Sequence, residues 1–391
     1  MIAPKLRFSE FKDEWIELSL KEYYSKIRNG FVGIATPFYV ENGIKYLQGK
    51  NIKDGKIDPK GLIYISEDFH HKKNNSQLKQ NDILMVQSGH VGECAVVTQD
   101  YENANCHALI ILSPDHNEKV NSHFVVYYFY SHYGKKRISE IKTGNTIEHV
   151  LASEIKEVTL NFPTPKEQTK IAEFLSAVDD KISQLSRQLE LLNQYKKGVM
   201  QKIFSQEIRF KNDNGEDFGE WDYLQLDEVL DYEQPTKYIV ESTEYDNIFQ
   251  TPVLTAGKSF ILGYTNETNG IFEAKKENVI IFDDFTTAYK FVDFDFKVKS
   301  SAMKILKVKN ENFDIRYIYA TFSLLQLPLG DEHKRRWISE YSLQEIPVPT
   351  IQEQKKIADF LTAIDERIDH TTAQLTHTKQ WKKGLLQQMF V

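Results

Sequence analysis

The sequence predicts an α+β protein: two pseudo-symmetric mixed α/β modules separated by two long repeated helices that pair as an antiparallel coiled coil. Three observations point there. The stretch from Pro163 to Phe204 recurs from Pro349 to Phe390 without a gap, every matched pair lying 186 residues apart. Both copies carry apolar residues at alternating spacings of four and three, the seam of a coiled coil. Upstream of each copy, strand-like and helix-like segments also match in pairs, at an offset that drifts from 206 at Trp15/Trp221 through 194 at Ala108/Ala302 to 190 at Tyr127/Tyr317. Loss of loop segments from the second copy of one ancestral module produces such a drift.

With 391 residues the chain exceeds one ordinary core, so two domains are expected. The divisions fall at an N-terminal segment 1–14, a first module 15–161, a first helix 162–206, a second module 207–346 and a second helix 347–391. Hydrophobic residues at 41% and aromatics at 12% describe a soluble globular chain, with no apolar run near the roughly 20 residues that span a membrane. The opening residues lack an apolar signal core, so a cytoplasmic location is expected. Cys94 and Cys106 have neither CxxC spacing nor a clustered histidine and are expected to pack as small hydrophobes, leaving no metal site. The net charge of −7 argues mildly against nucleic-acid binding. Local runs oppose it: Lys297 to Lys309 contains no acid, and His333, Lys334, Arg335 and Arg336 form a second basic cluster. Either run can be a solvated face or a contact surface.

Each repeated helix opens with Thr-x-x-Glu, Thr164 to Glu167 and Thr350 to Glu353, which reads as a capping box, and Pro165 suits a first turn. Ile171, Leu175, Val178, Ile182, Leu185, Leu189 and Leu192 then mark the first seam; Ile357, Leu361, Ile364, Ile368 and Leu375 repeat it, with Thr371 and Thr378 replacing apolar residues. About 40 residues at about 1.5 Å each give a rod of roughly 60 Å. Each seam needs a partner, and the chain contains one for each. A dimerisation coiled coil between two chains is the alternative, but it gives the internal duplication no use.

In the modules, the runs 82–86, 108–112 and 279–282 read as strands, and the aromatic stretches 124–130 and 315–319 read as core helix rather than as a base-stacking platform. Polar loops lie between them. Gln87, Ser88 and His90 follow one strand; Lys142, Thr143, Asn145, Thr146 and His149 precede the first long helix. Thr286 and Thr287, then Lys299, Ser300 and Ser301, then His333 to Arg336 hold comparable places in the second half. Such side chains can hydrogen-bond base edges and phosphates, although turn chemistry accounts for each one singly. Their recurrence in matched register makes them the candidate DNA contacts.

Catalytic signatures are missing. Gly257-Lys258-Ser259 ends like a phosphate-binding loop, but the required first glycine falls on Pro252 and the following Phe260-Ile-Leu reads as strand. No Asn/Asp-Pro-Pro-aromatic stretch of the amino-methylating kind, GxSxG or HExxH occurs, and Glu118-Lys119 after Pro114-Asp115 lacks the Glu-x-Lys spacing of a nuclease site.

The layout resembles the specificity subunit of type I restriction-modification systems. The resemblance covers essentially the whole chain: the opening Leu6-Arg-Phe with Phe11 and Trp15, a module, the Pro-x-x-x-Glu-Gln-x-x-Ile-Ala-x-Phe-Leu helix from Pro163 to Leu175, a second module, and the same helix from Pro349 to Leu361. It implies that each module is a target-recognition domain reading one half of a split double-stranded DNA sequence. The helices would set the spacing and dock two methyltransferase subunits, with Glu167, Gln168, Ile171 and Phe174, and Glu353, Gln354, Ile357 and Phe360, as the candidate docking residues. It further implies that this chain binds no cofactor: AdoMet belongs to the methyltransferase subunits, ATP and Mg to the motor-nuclease restriction subunits. Half-sites read from one face of the duplex lie about 34 Å apart, within reach of a rod of that size. The second module is shorter, and Thr371 and Thr378 interrupt its seam. A fused methyltransferase or nuclease, and a coiled-coil adaptor that ignores DNA, are the competing readings.

Overall fold

A computed structural model describes residues 3–115, 119–144, 148–255, 259–325 and 337–391. The chain divides into two compact units, Met1–Arg187 with Thr372–Val391, and Gln188–Thr371. The long helices are therefore not domains of their own. The helices Pro165–Phe204 and Ile351–Gln388 each contribute one half to either unit, because their apolar seams complete the module cores.

In unit 1 the central sheet is antiparallel, with Lys26–Asn29 beside Leu109–Ser113, then Ile83–Val86, then Cys94–Val96 at the edge. One face of the sheet, through Ile83, Met85, Cys94, Val96, Ile110 and Leu112, packs on the helix Ser122–Tyr130 and on the seam residues Ile171, Leu175 and Val178. Alternate residues Leu84, Val86, Ala95, Leu109 and Ile111 face the opposite way into a second cluster with Leu47, Ile52 and Leu78, as the period of two demands. Both cysteines are free and fully buried, and burial pushes their thiols up. Ile16–Ser19 pairs with Thr159–Phe162 and brings the start and end of the module together.

Unit 2 repeats this plan. Leu230–Glu233, Met303–Val308, Val279–Asp283 and Tyr289–Val292 form the same antiparallel order, and Asp222–Gln225 pairs with Glu345–Val348. The aromatic stretches are helical and interior, with Phe124, Tyr128 and Tyr317 nearly inaccessible.

Within each unit the two long helices meet head to tail. In unit 1 Asp179 pairs with Lys382 at 2.6 Å; in unit 2 Asp365 pairs with Lys196 at 2.6 Å. Both partners repeat at the 186-residue offset, so the ion pair is one contact made twice with the helices exchanging roles.

The helix heads keep only part of the expected capping box: Glu353 N donates to Thr350 Oγ1 at 3.5 Å, while the glutamate side chains are used elsewhere. Glu167 does not reach back to Thr164; its carboxylate is fully buried and accepts from Arg7 Nε and Nη2 at 2.7 and 2.8 Å and from Trp15 Nε1 at 3.3 Å. Glu353 does the same with Arg209 Nε and Nη2 at 3.2 and 2.7 Å and Trp221 Nε1 at 3.0 Å. Each carboxylate holds its guanidinium's pKa above the usual arginine value. Gln168 is equally committed: its Oε1 accepts from Asn121 N, and its Nε2 donates to the carbonyls of Lys119 and Pro163. Gln354 repeats this with Asp314, Asn312 and Pro349.

These contacts correct the expected docking set. Glu167, Gln168, Ile171, Glu353, Gln354 and Ile357 are interior side chains that bind their own unit together and present nothing to a partner. Phe174 and Phe360 keep part of their surface, but they pack edge-on against Phe8 and Phe210 respectively.

Candidate nucleic-acid interface

The hairpin joining strands Ile83–Val86 and Cys94–Val96 turns through Gly89 and Gly92, with φ of 84° and 92°, a left-handed region that favours glycine. It is closed by Val86 N donating to Glu93 O at 2.8 Å and Gly92 N to Val86 O at 3.2 Å. Further along the chain, Thr143 and His149 exchange backbone hydrogen bonds of 3.0 and 2.8 Å, forming a second narrow loop. The two loops join edge to edge: Val150 N donates to Gln87 O at 3.0 Å, and Ser88 bridges to His149. One continuous ridge results, with Ser88, His90, Thr143 and His149 exposed and Gln87 and Lys142 partly buried. Lys142 Nζ pairs with Glu148 at 2.7 Å, an exposed bridge that contributes little to stability. Asn145 and Thr146 lie outside the described residues.

The corresponding hairpin of unit 2 is tighter. Asp283 Oδ1 accepts from the backbone N–H of Phe285 and Thr286 and from Thr286 Oγ1, at 3.0, 2.6 and 2.8 Å. Asp284, nearly inaccessible, pairs with Lys304 at 3.2 Å and accepts from Trp337 N at 3.0 Å. Both units thus tie this hairpin to the segment that leads into the next long helix. The loop holding Lys299, Ser300 and Ser301 adjoins it, since Asp284 N donates to Ala302 O at 3.2 Å. Ser300 and Ser301 are exposed, and Phe285 stands out at the hairpin tip with 59% of its surface accessible.

Two expectations need correction. Thr287 is buried in the turn at φ 58°, and its hydroxyl donates to Thr286 O at 2.6 Å, so it is a turn residue with no free group to offer. Thr286 is exposed, but its hydroxyl is engaged by Asp283. The run from Lys297 to Lys309 is not an open basic face either. Lys297 pairs with Glu267, Lys304 with Asp284, Lys307 with Glu233 and Glu277, and Lys309 with Asp231. Lys299 has no acidic partner among the described residues; its ammonium lies 5.8 Å from the Tyr245 ring centroid. His333, Lys334, Arg335 and Arg336 lie outside the described residues.

The Asp283-Asp284 pair and the two part-buried arginines, Arg7 and Arg209, are not among the candidates offered by the sequence. The first had a signal, an acid three residues before threonine at a strand end, which is an Asx-turn pattern. The second had one too: Leu6-Arg7-Phe8 and Ile208-Arg209-Phe210 are a further repeat, 202 residues apart.

Pro252 lies inside strand Thr251–Leu254, and Ile261–Thr265 is also a strand, so the described residues place strand rather than helix after this segment; Gly257 and Lys258 are outside the described residues. Among the described residues no three His, Cys, Asp or Glu side chains cluster as a metal site, and no helix is long and apolar enough to cross a membrane.

Comparison with known proteins follows the same two-part division. The sequence profile described as "Type I restriction modification DNA specificity domain" matches residues 12–194 and again 219–378. The Escherichia coli type I restriction enzyme EcoR124I/EcoR124II specificity subunit is 47% identical over 169 residues, 42% of this chain and 42% of that protein. The putative type I restriction enzyme MjaX specificity subunit of Methanocaldococcus jannaschii is 24% identical over 421 aligned positions, covering 98% of this chain and 94% of its own length. Among solved structures, the type I restriction-modification system S subunit from M. genitalium superposes with a TM-score of 0.70 at 17% identity, over 100% of this chain and 99% of that one, and so shares the fold. The chain therefore belongs to the type I restriction-modification DNA specificity family and carries that family's domain twice.

Proposed function

We propose that this chain is the sequence-reading subunit of a type I restriction-modification complex, each unit recognising one half of a split double-stranded DNA target. The observation that supports it most directly is the repetition of one surface: in both units the same sheet hairpin is stitched to the segment preceding a long helix, and polar side chains line the junction. The ridge of Ser88, His90, Thr143 and His149 offers hydroxyls and imidazoles, which suit base-edge hydrogen bonds; Lys299 adds charge for phosphates, and Lys142 would do so on exchanging Glu148 for a phosphate. In this reading the chain performs no chemistry. Two methyltransferase subunits bring AdoMet and methylate adenine in each half-site, and restriction subunits bring ATP and Mg, all in the cytoplasm. Flipping an adenine out of the stack requires that the complex accept distorted DNA.

Selection of bound duplexes from a random library, followed by half-site mutation, tests the reading. The expected result is a two-part site whose affinity falls steeply with salt. Replacing Ser88 and His149 by Ala is expected to relax one half-site, by about 1–3 kcal/mol for each base-edge interaction removed, and to leave the other unchanged. Binding indifferent to sequence would favour the adaptor reading. Methyl transfer from labelled AdoMet by the purified chain alone would favour the fused enzyme.

A further inference from the structure

The two units differ at one matched place. In unit 1 a small hairpin, Ile52–Lys53 with Lys56–Ile57, lies beside the edge strand Cys94–Val96, and Gly55 bridges to Ala95 in parallel register. Its tip reaches over the helices: Gly55 N donates to Tyr130 Oη at 2.8 Å, and Lys56 Nζ donates to Ser183 Oγ at 2.9 Å. A Cβ on Gly55 would meet Val126 and Tyr130 at 3.8 and 3.6 Å, and its φ of 84° calls for glycine. The tip is thus seated on Val126, Tyr130 and Ser183.

By the repeat offsets those three positions correspond in unit 2 to Arg316, Ala320 and Asp369. All three line a groove of about 1070 Å³ floored by Tyr289, Phe291 and Tyr319. No segment of unit 2 pairs with the outer edge of Tyr289–Val292 among the described residues; its one sheet neighbour is Val279–Asp283. Lys290 holds the place of Ala95, since each sits opposite the matched residue of the adjacent strand, Ile281 and Leu84 respectively. Tyrosine in unit 1 has become alanine here, and that exchange leaves the space open. The rim is acidic on balance. Asp365 and Arg316 are paired, with Lys196 and with Asp314 and Asp359, whereas Asp293, Glu366 and Asp369, against the single lysine Lys197, have no ion-pair partner among the described residues.

We propose that this groove of unit 2 is a docking site for a partner protein's extended, basic, glycine-containing segment, laid along the edge strand Tyr289–Val292 as the hairpin of residues 52–57 is laid along its counterpart. Exposed strand edges accept such segments through main-chain hydrogen bonds, and the neighbouring pocket and charges select among them. The unit 1 occupant supplies the pattern: Lys53, Gly55 and Lys56, with the lysine at the position that faces Asp369 in unit 2. The proposal is independent of the DNA-reading function, because none of these residues belongs to the polar ridge.

The test uses the full chain and, as probe, a fluorescein-labelled peptide with the sequence of residues 49–60. Saturable polarisation that weakens with salt is expected, with at least a tenfold loss in Ala320→Tyr, which refills the space, and a several-fold loss in Asp369→Lys. Amide exchange should slow at Tyr289–Val292 when the peptide binds. Asp369 is exposed, so its variant keeps the proposal testable if Ala320→Tyr fails to fold, as read by near-ultraviolet circular dichroism. Absence of saturable binding, or binding that both folded variants retain in full, overturns the proposal. DNA selection by the same preparation reports separately on the specificity reading.

Discussion

At the scale of single residues, Glu167 and Glu353 show how a correct position can carry a different role from the one its spacing suggests. Thr-x-x-Glu signals a helix start, and the helices do start there, at Pro165 and Ile351. The carboxylates are nonetheless spent on Arg7 and Arg209, which arrive from segments far away in sequence. No local pattern encodes that. A buried carboxylate must be paired, and removing its partner leaves an uncompensated charge in the interior. Arg7→Ala is therefore expected to destabilise unit 1 by about 3 kcal/mol, the lower end of the range for a broken buried pair, because Trp15 Nε1 still donates to Glu167. Arg209→Ala should cost unit 2 a similar amount. Thermal melts of the two variants check this; a melting temperature unchanged in either would show that water replaces the guanidinium without penalty.

At the scale of elements, strands and helices were legible because their apolar residues repeat with the right period and turn residues bound them. The sheet runs near 83, 109 and 279 and the aromatic helices lie where the pattern puts them. Loop junctions were not legible. Nothing in Gln87 to His90 announces that it bonds to Val150, because pairing between loops depends on the sheet that carries them. The seam threonines are an intermediate case. Thr371 is 3% exposed, and its hydroxyl donates to the Arg367 carbonyl at 2.8 Å, the usual way for a helix to absorb a buried hydroxyl. That carbonyl lies in mid-helix, so removing the hydroxyl leaves it bonded to the backbone. Thr371→Val then exchanges a hydroxyl for a buried methyl of similar size and is expected to stabilise by about 0.5–1 kcal/mol. Denaturant titration measures it, and a loss of stability would mean that the hydroxyl fixes the seam.

At the scale of the molecule, the duplication has a consequence for the spacing of the DNA target. Both long helices pass from one unit into the other, one boundary falling after Arg187 and the other after Thr371. The ion pairs Asp179–Lys382 and Asp365–Lys196 fix the register of the two helices inside each unit, and the helix between these pairs makes the crossing from one unit to the other. Removing seven residues from each helix within that stretch, two turns apiece, keeps the seam in phase and leaves both ion pairs and both ridges intact. The half-sites recognised should therefore stay the same, while the number of base pairs permitted between them changes. Removing seven residues from one helix alone should instead put the two registers in conflict and cost stability without defining a new gap. Library selection on the three proteins separates these outcomes. An unaltered gap in the double deletion would mean that the DNA spacing is set elsewhere, by the recognition modules or by the partner subunits, and that the helices serve only to complete two cores.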